Sequence, residues 1–216
     1  MSNPALLILI LAAVAIAVWL VINYRRRRRM LTGLALRFKW QFFVHDRLSL
    51  LDRLGGLYLM QLGHAARVFN VLYGRRDDRR VIAFDYCYET GAGTELVTHR
   101  RSVVACSVGV PLPATVALRE SSFMPLGRHC DFESVSTGDA AFDNRFVIHS
   151  DQTERLRTIL SAPLRQALLQ YGLADWEFNG NYLVLYVPRV LSALKLARLI
   201  RCGARCSKLL ALQNQP

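Results

Sequence analysis

Val81-Ile-Ala-Phe-Asp-Tyr-Cys-Tyr-Glu-Thr90 is the stretch that decides the fold. Ile82, Phe84, Tyr86 and Tyr88 fall on one side of an extended chain, and Ala83, Asp85, Cys87 and Glu89 on the other. A period of two predicts a strand with one face on a core. Upstream, Ala66 to Tyr73 reads as a second strand. The polar connection Gly74-Arg-Arg-Asp-Asp-Arg-Arg80 makes the pair a hairpin. Downstream, Gly91-Ala-Gly93-Thr turns the chain and Thr98 to Gly109 returns as a third strand. It is apolar on both faces at Val103–Cys106, which places it centrally.

Beyond Pro111 and Pro113, Thr115–Arg119 reads as a fourth strand. Phe123 to Thr137 shows no period, and Phe142–His149 reads as a strand. Ser150-Asp151-Gln-Thr-Glu154 predicts a helix start with Asp151 as cap and Glu154 three residues on. Ser161-Ala-Pro163 opens another helix, which Gly172 ends. Ala174–Phe178 and Asn181–Val187 flank Asn179-Gly180, the strongest hairpin signal in the chain. Pro188 stops that strand, and a helix follows to about Leu212. Toward the N-terminus, a strand is expected near Lys39–Val44, and a short helix over Leu48–Leu54 that stops at Gly55-Gly56. The sum is one α+β domain of mainly antiparallel sheet with a few packed helices.

The apolar excess lies ahead of that domain. Mean hydropathy is +0.20 over 216 residues, and Ala5 to Ile22 has 18 residues without a charged or polar side chain. As a helix it would be about 27 Å long, close to the roughly 30 Å hydrocarbon core of a bilayer. Twelve of the 18 are Leu, Ile or Val, each favouring insertion by about 0.3–0.6 kcal/mol. Trp19 and Tyr24 suit an interface at one end. Arg25, Arg26, Arg27, Arg28 and Arg29 follow at once. A cleavable signal peptide carries its positive charge before the apolar run, where Met1 to Pro4 has none. The run therefore reads as a retained transmembrane helix. The positive-inside rule orients it with the N-terminus outside and the domain in the cytoplasm. Leu31, Leu34, Ala35 and Phe38 continue at helical spacing beyond the arginines.

The formal net charge is +12, from 28 Lys and Arg against 16 Asp and Glu. All 16 acids lie between Met30 and Pro188, with 17 basic residues, so that segment is nearly neutral. Arg189 to Pro216 has six basic residues and no acid. The chain divides accordingly into residues 1–29, an anchor with its arginine run; 30–188, the domain; and 189–216, a basic helix and tail. Twenty-five of the 28 basic residues are Arg, a bias typical of GC-rich bacterial genes. A bacterial inner membrane is the expected location.

The last helix is amphipathic. Lys195, Arg198, Arg201, Arg205 and Lys208 step by three or four and share a face. Leu196, Leu199, Ile200, Gly203 and Leu210 lie opposite. One reading docks the helix on the sheet with its charges in solvent. The sharper reading lets those five residues also touch anionic lipid headgroups, at about 1 kcal/mol each near a charged leaflet.

Asn70-Val-Leu-Tyr-Gly74, Phe84-Asp-Tyr-Cys-Tyr-Glu-Thr-Gly91 and Thr98-His99-Arg100 form a pattern of the type N-x-x-x-G … F-D-Y-x-Y-x-T-G-x-G … T-H. It resembles that of a bacterial family of uncharacterised single-pass membrane-anchored proteins. Phe142-Asp-Asn-Arg-Phe146, Ser150-Asp151 and the Gly180–Tyr186 stretch fit the same pattern, so the resemblance covers about Phe38 to Pro188. It implies a fold unit on a membrane tether and no catalytic residues.

Sites of chemistry are sparse. His45, His64, His99, His129 and His149 are scattered, without the paired spacing of a metal site. Cys87, Cys106, Cys130, Cys202 and Cys206 contain no Cys-x-x-Cys and read as reduced thiols of a cytoplasmic domain. Cys202 and Cys206, one turn apart, lack the second pair that zinc needs. Gly91-Ala-Gly93 lacks the third glycine and the helix of a dinucleotide fingerprint. Asp77-Asp78 among four arginines is a solvated turn before it is a recognition loop. Phe84, Tyr86 and Tyr88 between Asp85 and Glu89 are core before they are a base-stacking platform. No catalytic, cofactor or metal residue is assigned.

The function expected is a membrane-anchored cytoplasmic binding or scaffold module. Its partners are the bilayer, anionic headgroups and a protein. One alternative is a tethered enzyme around Asp85, Glu89 and His99. The other, which the near-neutral domain disfavours, is a nucleic-acid binder using both basic segments.

Overall fold

The computed structural model describes residues 4–119, 132–172 and 174–213, with side chains from residue 8 onward. The apolar run and the arginine run form one continuous helix, α1 (Pro4–Phe38). Its first half stands clear of the domain: the large apolar side chains from Ile8 to Ile22 are 49–68% exposed. The helix is long and apolar enough to cross a membrane. Its second half belongs to the domain. Leu31, Leu34 and Ala35, spaced at three to four, are buried in the core. Burying a leucine such as Leu31 stabilises by roughly 1.5–3 kcal/mol.

Among the described residues, eight antiparallel pairings join nine strands into one sheet. These are β1 (Gln41–His45), β2 (His64–Arg76), β3 (Arg79–Thr90), β4 (Val97–Ser107), β5 (Thr115–Arg119), β6 (Glu133–Ser134), β7 (Phe146–Ser150), β8 (Asp175–Asn179) and β9 (Tyr182–Val187). Their spatial order is β1-β2-β3-β4-β9-β8-β5-β7-β6. The helices after α1 are α2 (Leu50–Arg53), α3 (Ala140–Asp143), α4 (Thr153–Ile159), α5 (Ala162–Tyr171) and α6 (Ala193–Gln213). The fold is α+β, with an N-terminal apolar helix and a C-terminal helix, as expected.

The one-sided sheet expected of β3 is corrected: both faces are covered. Val81 and Ala83 pack in a core shared with α1, α4, α5 and α6. Ile82, Phe84, Tyr86 and Tyr88 pack against Leu50, Leu54, Leu57 and Leu59 of the α2 region. The small Ala83 and the acidic Asp85 made the first face look wet. It is instead the face on which helices sit closely. A Cβ at Gly203 of α6 would stand 2.7 Å from Cys106 Sγ on β4, so the glycine sets how near that helix lies.

Three other expectations shift. The seven-residue connection after Tyr73 shrinks to Asp77-Asp78, because Arg75 pairs with Arg80 and Arg76 with Arg79. Both aspartates take positive φ, 49° and 61°, the geometry a tight hairpin needs. Phe142 lies in α3 rather than in a strand, since Asp139 accepts a hydrogen bond from its amide at 3.3 Å. Asp151 does not cap α4. Gln152 takes that position without a side-chain bond, and Ser150 Oγ accepts the Gln152 amide at 3.3 Å. Part of the aperiodic Phe123–Thr137 stretch, with His129 and Cys130, lies outside the described residues.

Candidate functional site

The helical period decides which arginine of the run meets the domain. Arg27 stands four residues before Leu31 and seven before Leu34, on the stripe that α1 buries. Arg25, Arg26 and Arg29 are exposed, and the Arg28 guanidinium lies 5.1 Å from the centre of the Tyr24 ring. Arg27 faces Asp85 on β3: its Nη2 donates to Oδ1 at 2.8 Å and its Nε to Oδ2 at 3.2 Å. The carboxylate is 2% exposed and the guanidinium 12%. Two further donors complete the carboxylate's shell, Asn70 Nδ2 at 2.9 Å and Ser102 Oγ at 3.2 Å. Ser102 Oγ also accepts the Leu191 amide at 3.0 Å. Arg27 Nη1 donates to the Leu191 carbonyl.

Local backbone builds this joint. The β2–β3 register slips between Phe69 and Leu72, and Asn70 within the slip has φ 54°. A bulge of this kind re-aims one side chain, here the amide that meets Asp85. Gly74 serves a neighbouring contact: a Cβ there would fall 2.1 Å from the Trp40 ring, whose Nε1 donates to the Arg75 carbonyl at 3.0 Å.

Asp85, Glu89 and His99 are not brought together. His99 pairs with Tyr88 across the β3–β4 ladder, on the opposite face from Asp85. It stacks on the Tyr88 ring at 4.7 Å and meets Thr90 Oγ1 through Nε2 at 2.8 Å. Burial and Arg101 lower its pKa. The quoted pattern therefore resolves into packing: Thr90 with His99, Tyr88 beneath, and Asp85 in the joint.

Sequence reading missed a second polar centre, under α2. Glu177 on β8 is wholly buried and accepts the amides of Tyr58 at 2.7 Å and Leu59 at 3.0 Å. Burial pushes its pKa up to about 7, although the Tyr186 hydroxyl and the two amides favour the charged form. Nearby, Arg119 donates to Asp175 through its amide at 2.9 Å and Nε at 3.1 Å. An acid inside an apolar alternation such as Asp175-Trp-Glu-Phe178 is the signal that could have found them.

The five basic residues of α6 are all exposed, and the opposite face is buried, including Leu196, Leu199, Ile200, Gly203 and Leu210. Cys202 and Cys206 are buried thiols with sulfurs 4.0 Å apart. Burial holds Cys106 well above the usual thiol range, so these groups are packing rather than nucleophiles. Among the described residues no three His, Cys, Asp or Glu side chains are grouped to hold a metal ion.

No protein-family model matches the chain, and no curated protein matches it in sequence. The fold is similar to one seen in the crystal structure of the mycobacterial trehalose monomycolate transport factor A, TtfA. The superposition has a TM-score of 0.58 and 14% identity, and covers 88% of this chain and 94% of that one. At that identity the likeness is one of fold: an α+β chain of the same architecture.

Proposed function

We propose that this chain is a single-pass protein of a bacterial inner membrane whose cytoplasmic domain binds or scaffolds a partner at the membrane surface. The observation that carries this reading is the Arg27–Asp85 joint on a helix unbroken from Pro4 to Phe38. Arg27 stands five helical steps past Ile22, a rise of about 7.5 Å. The domain is thus posed at a fixed height and rotation above the apolar run, whereas a flexible linker would let it wander. A binding surface that must face a membrane partner benefits from such a mount. The similar fold of a protein named as a transport factor supports an accessory role over catalysis. Arg25, Arg28 and Arg29, beside an open groove with Leu36, Phe42 and Val44, and the basic face Lys195, Arg198, Arg201, Arg205 and Lys208 would then attract the anionic leaflet.

Fusing alkaline phosphatase and, separately, a green fluorescent protein to the C-terminus tests the topology. An inactive phosphatase with a fluorescent partner fusion, both resisting alkaline carbonate extraction, is the expected result. An active phosphatase, or release by carbonate, overturns the reading.

A further inference from the structure

A cleft of about 410 Å³ opens where the end of α5, the end of β9 and the start of α6 meet. Its volume falls within the roughly 300–1,000 Å³ of small-molecule sites. Arg145, Arg189, Lys195 and Arg198 line it, and among the described residues no carboxylate does. A cleft lined by charge of one sign concentrates counter-ions, and three of its four cations are guanidinium forks that match a phosphate's oxygens. Arg145 is held in place by donating to the Gly172 carbonyl. The remaining wall is mostly apolar, with Leu169, Val187, Leu191 and Leu199 beside Gln170 and Tyr171. A lining that combines cations with aliphatic carbon suits an amphiphile better than a bare ion.

Position narrows the source. Leu191 lines the cleft, and its carbonyl receives Arg27 of α1. The cleft therefore borders the segment just past the apolar run. We propose that it binds the glycerophosphate headgroup of an anionic phospholipid, with the phosphate on Arg189, Arg198 and Lys195 and the first acyl carbons on Leu191 and Leu199. This assignment rests on the membrane-anchored reading for the origin of the lipid. A soluble phosphate ester shares the headgroup chemistry.

Native mass spectrometry of the full chain extracted in dodecyl maltoside tests it, with dioleoyl phosphatidylglycerol, dioleoyl phosphatidylcholine and glycerol 3-phosphate as probes. The expected result is one retained phosphatidylglycerol, at least tenfold less phosphatidylcholine, and no displacement by millimolar glycerol 3-phosphate. R189Q/R198Q should lower retention at least tenfold, R189K/R198K should keep it within about threefold, and R80Q/R100Q, exposed on the sheet and outside the cleft, should leave it unchanged. Unaltered circular dichroism of each variant separates lost binding from lost folding. Equal retention of both lipids, or undiminished retention by R189Q/R198Q, overturns the site. Displacement by glycerol 3-phosphate overturns the lipid assignment. Because retention is read on the extracted chain, its failure is distinct from failure of the topology test.

Discussion

Arg27 Nη2 and Asp85 Oδ1 lie 2.8 Å apart, although 58 residues separate them in the chain. One comes from α1, just past its apolar run, and the other from β3 within the sheet. The carboxylate accepts four hydrogen bonds, two from Arg27 and one each from Asn70 and Ser102. The guanidinium reaches the Leu191 carbonyl as well. The pair is nearly dry, so its attraction is weakly screened, and removing either member strands the other.

Single substitutions at this joint should be severe. R27M leaves a buried carboxylate, and D85N leaves a mostly buried guanidinium, each costing about 3–5 kcal/mol. The double variant should cost clearly less than the two singles added together, because neither leaves an unpaired charge. Denaturant titration of the full chain in a neutral detergent measures this. Strict additivity would show that the two groups do not interact.

The joint was half legible in the sequence. The unbroken period from Arg27 through Leu31 and Leu34 already put one arginine on a buried stripe. Membrane insertion responds to the number of the five arginines and not to their faces, so an orienting charge is all that their count predicts. Alternation alone cannot reveal a second layer on the far side of a sheet, so it leaves Asp85 on the face opposite the core. The hairpin at Asn179-Gly180 and the central place of Val103–Cys106 were legible, since local turn chemistry and apolar runs specify them. Asn70 was not: its role depends on a bulge, which period-two reasoning does not detect.

Glu177 should make stability fall as pH rises. Its carboxyl titrates near 4.5 when unfolded and near 7 when folded. Below about pH 4.5 both states hold the proton, and the contribution is largest. Between those values the unfolded chain releases its proton while the folded chain keeps it, so stability declines, by about 3 kcal/mol once pH exceeds 7. E177Q cannot titrate and should flatten this part of the profile, whatever its absolute stability. Urea melts from pH 5 to 8 compare the two slopes. Parallel slopes would remove Glu177 as the cause.

Gly203 limits how α6 can be changed. Its missing side chain leaves room for Cys106 Sγ, Val104 and Leu185, the nearest at 2.7 Å from an added Cβ. G203V should overpack this contact and cost about 1–3 kcal/mol or more. C106A removes the nearest atom, so G203A/C106A should be more stable than the two single effects predict. Thermal denaturation of the four proteins reads the coupling, and simple addition would place the clash elsewhere.

The basic face of α6 gives a prediction with an internal reference. The chain has three lysines: Lys195 and Lys208 on that face, and Lys39 just beyond the end of α1. Along the helix Lys39 stands about 25 Å past Ile22, well outside a Debye length of roughly 8 Å at physiological salt. If the leaflet attracts α6, a water-soluble amine-acylating reagent should modify Lys208, which lies outside the cleft, more slowly than Lys39 in phosphatidylglycerol nanodiscs, and equally in phosphatidylcholine nanodiscs. Raising salt to 1 M, where the screening length is about 3 Å, should erase the difference. R201E/R205E should erase it without salt, because both side chains are exposed and neither lines the cleft. Equal rates for both lysines in both lipids would confine the charge of α6 to solvent.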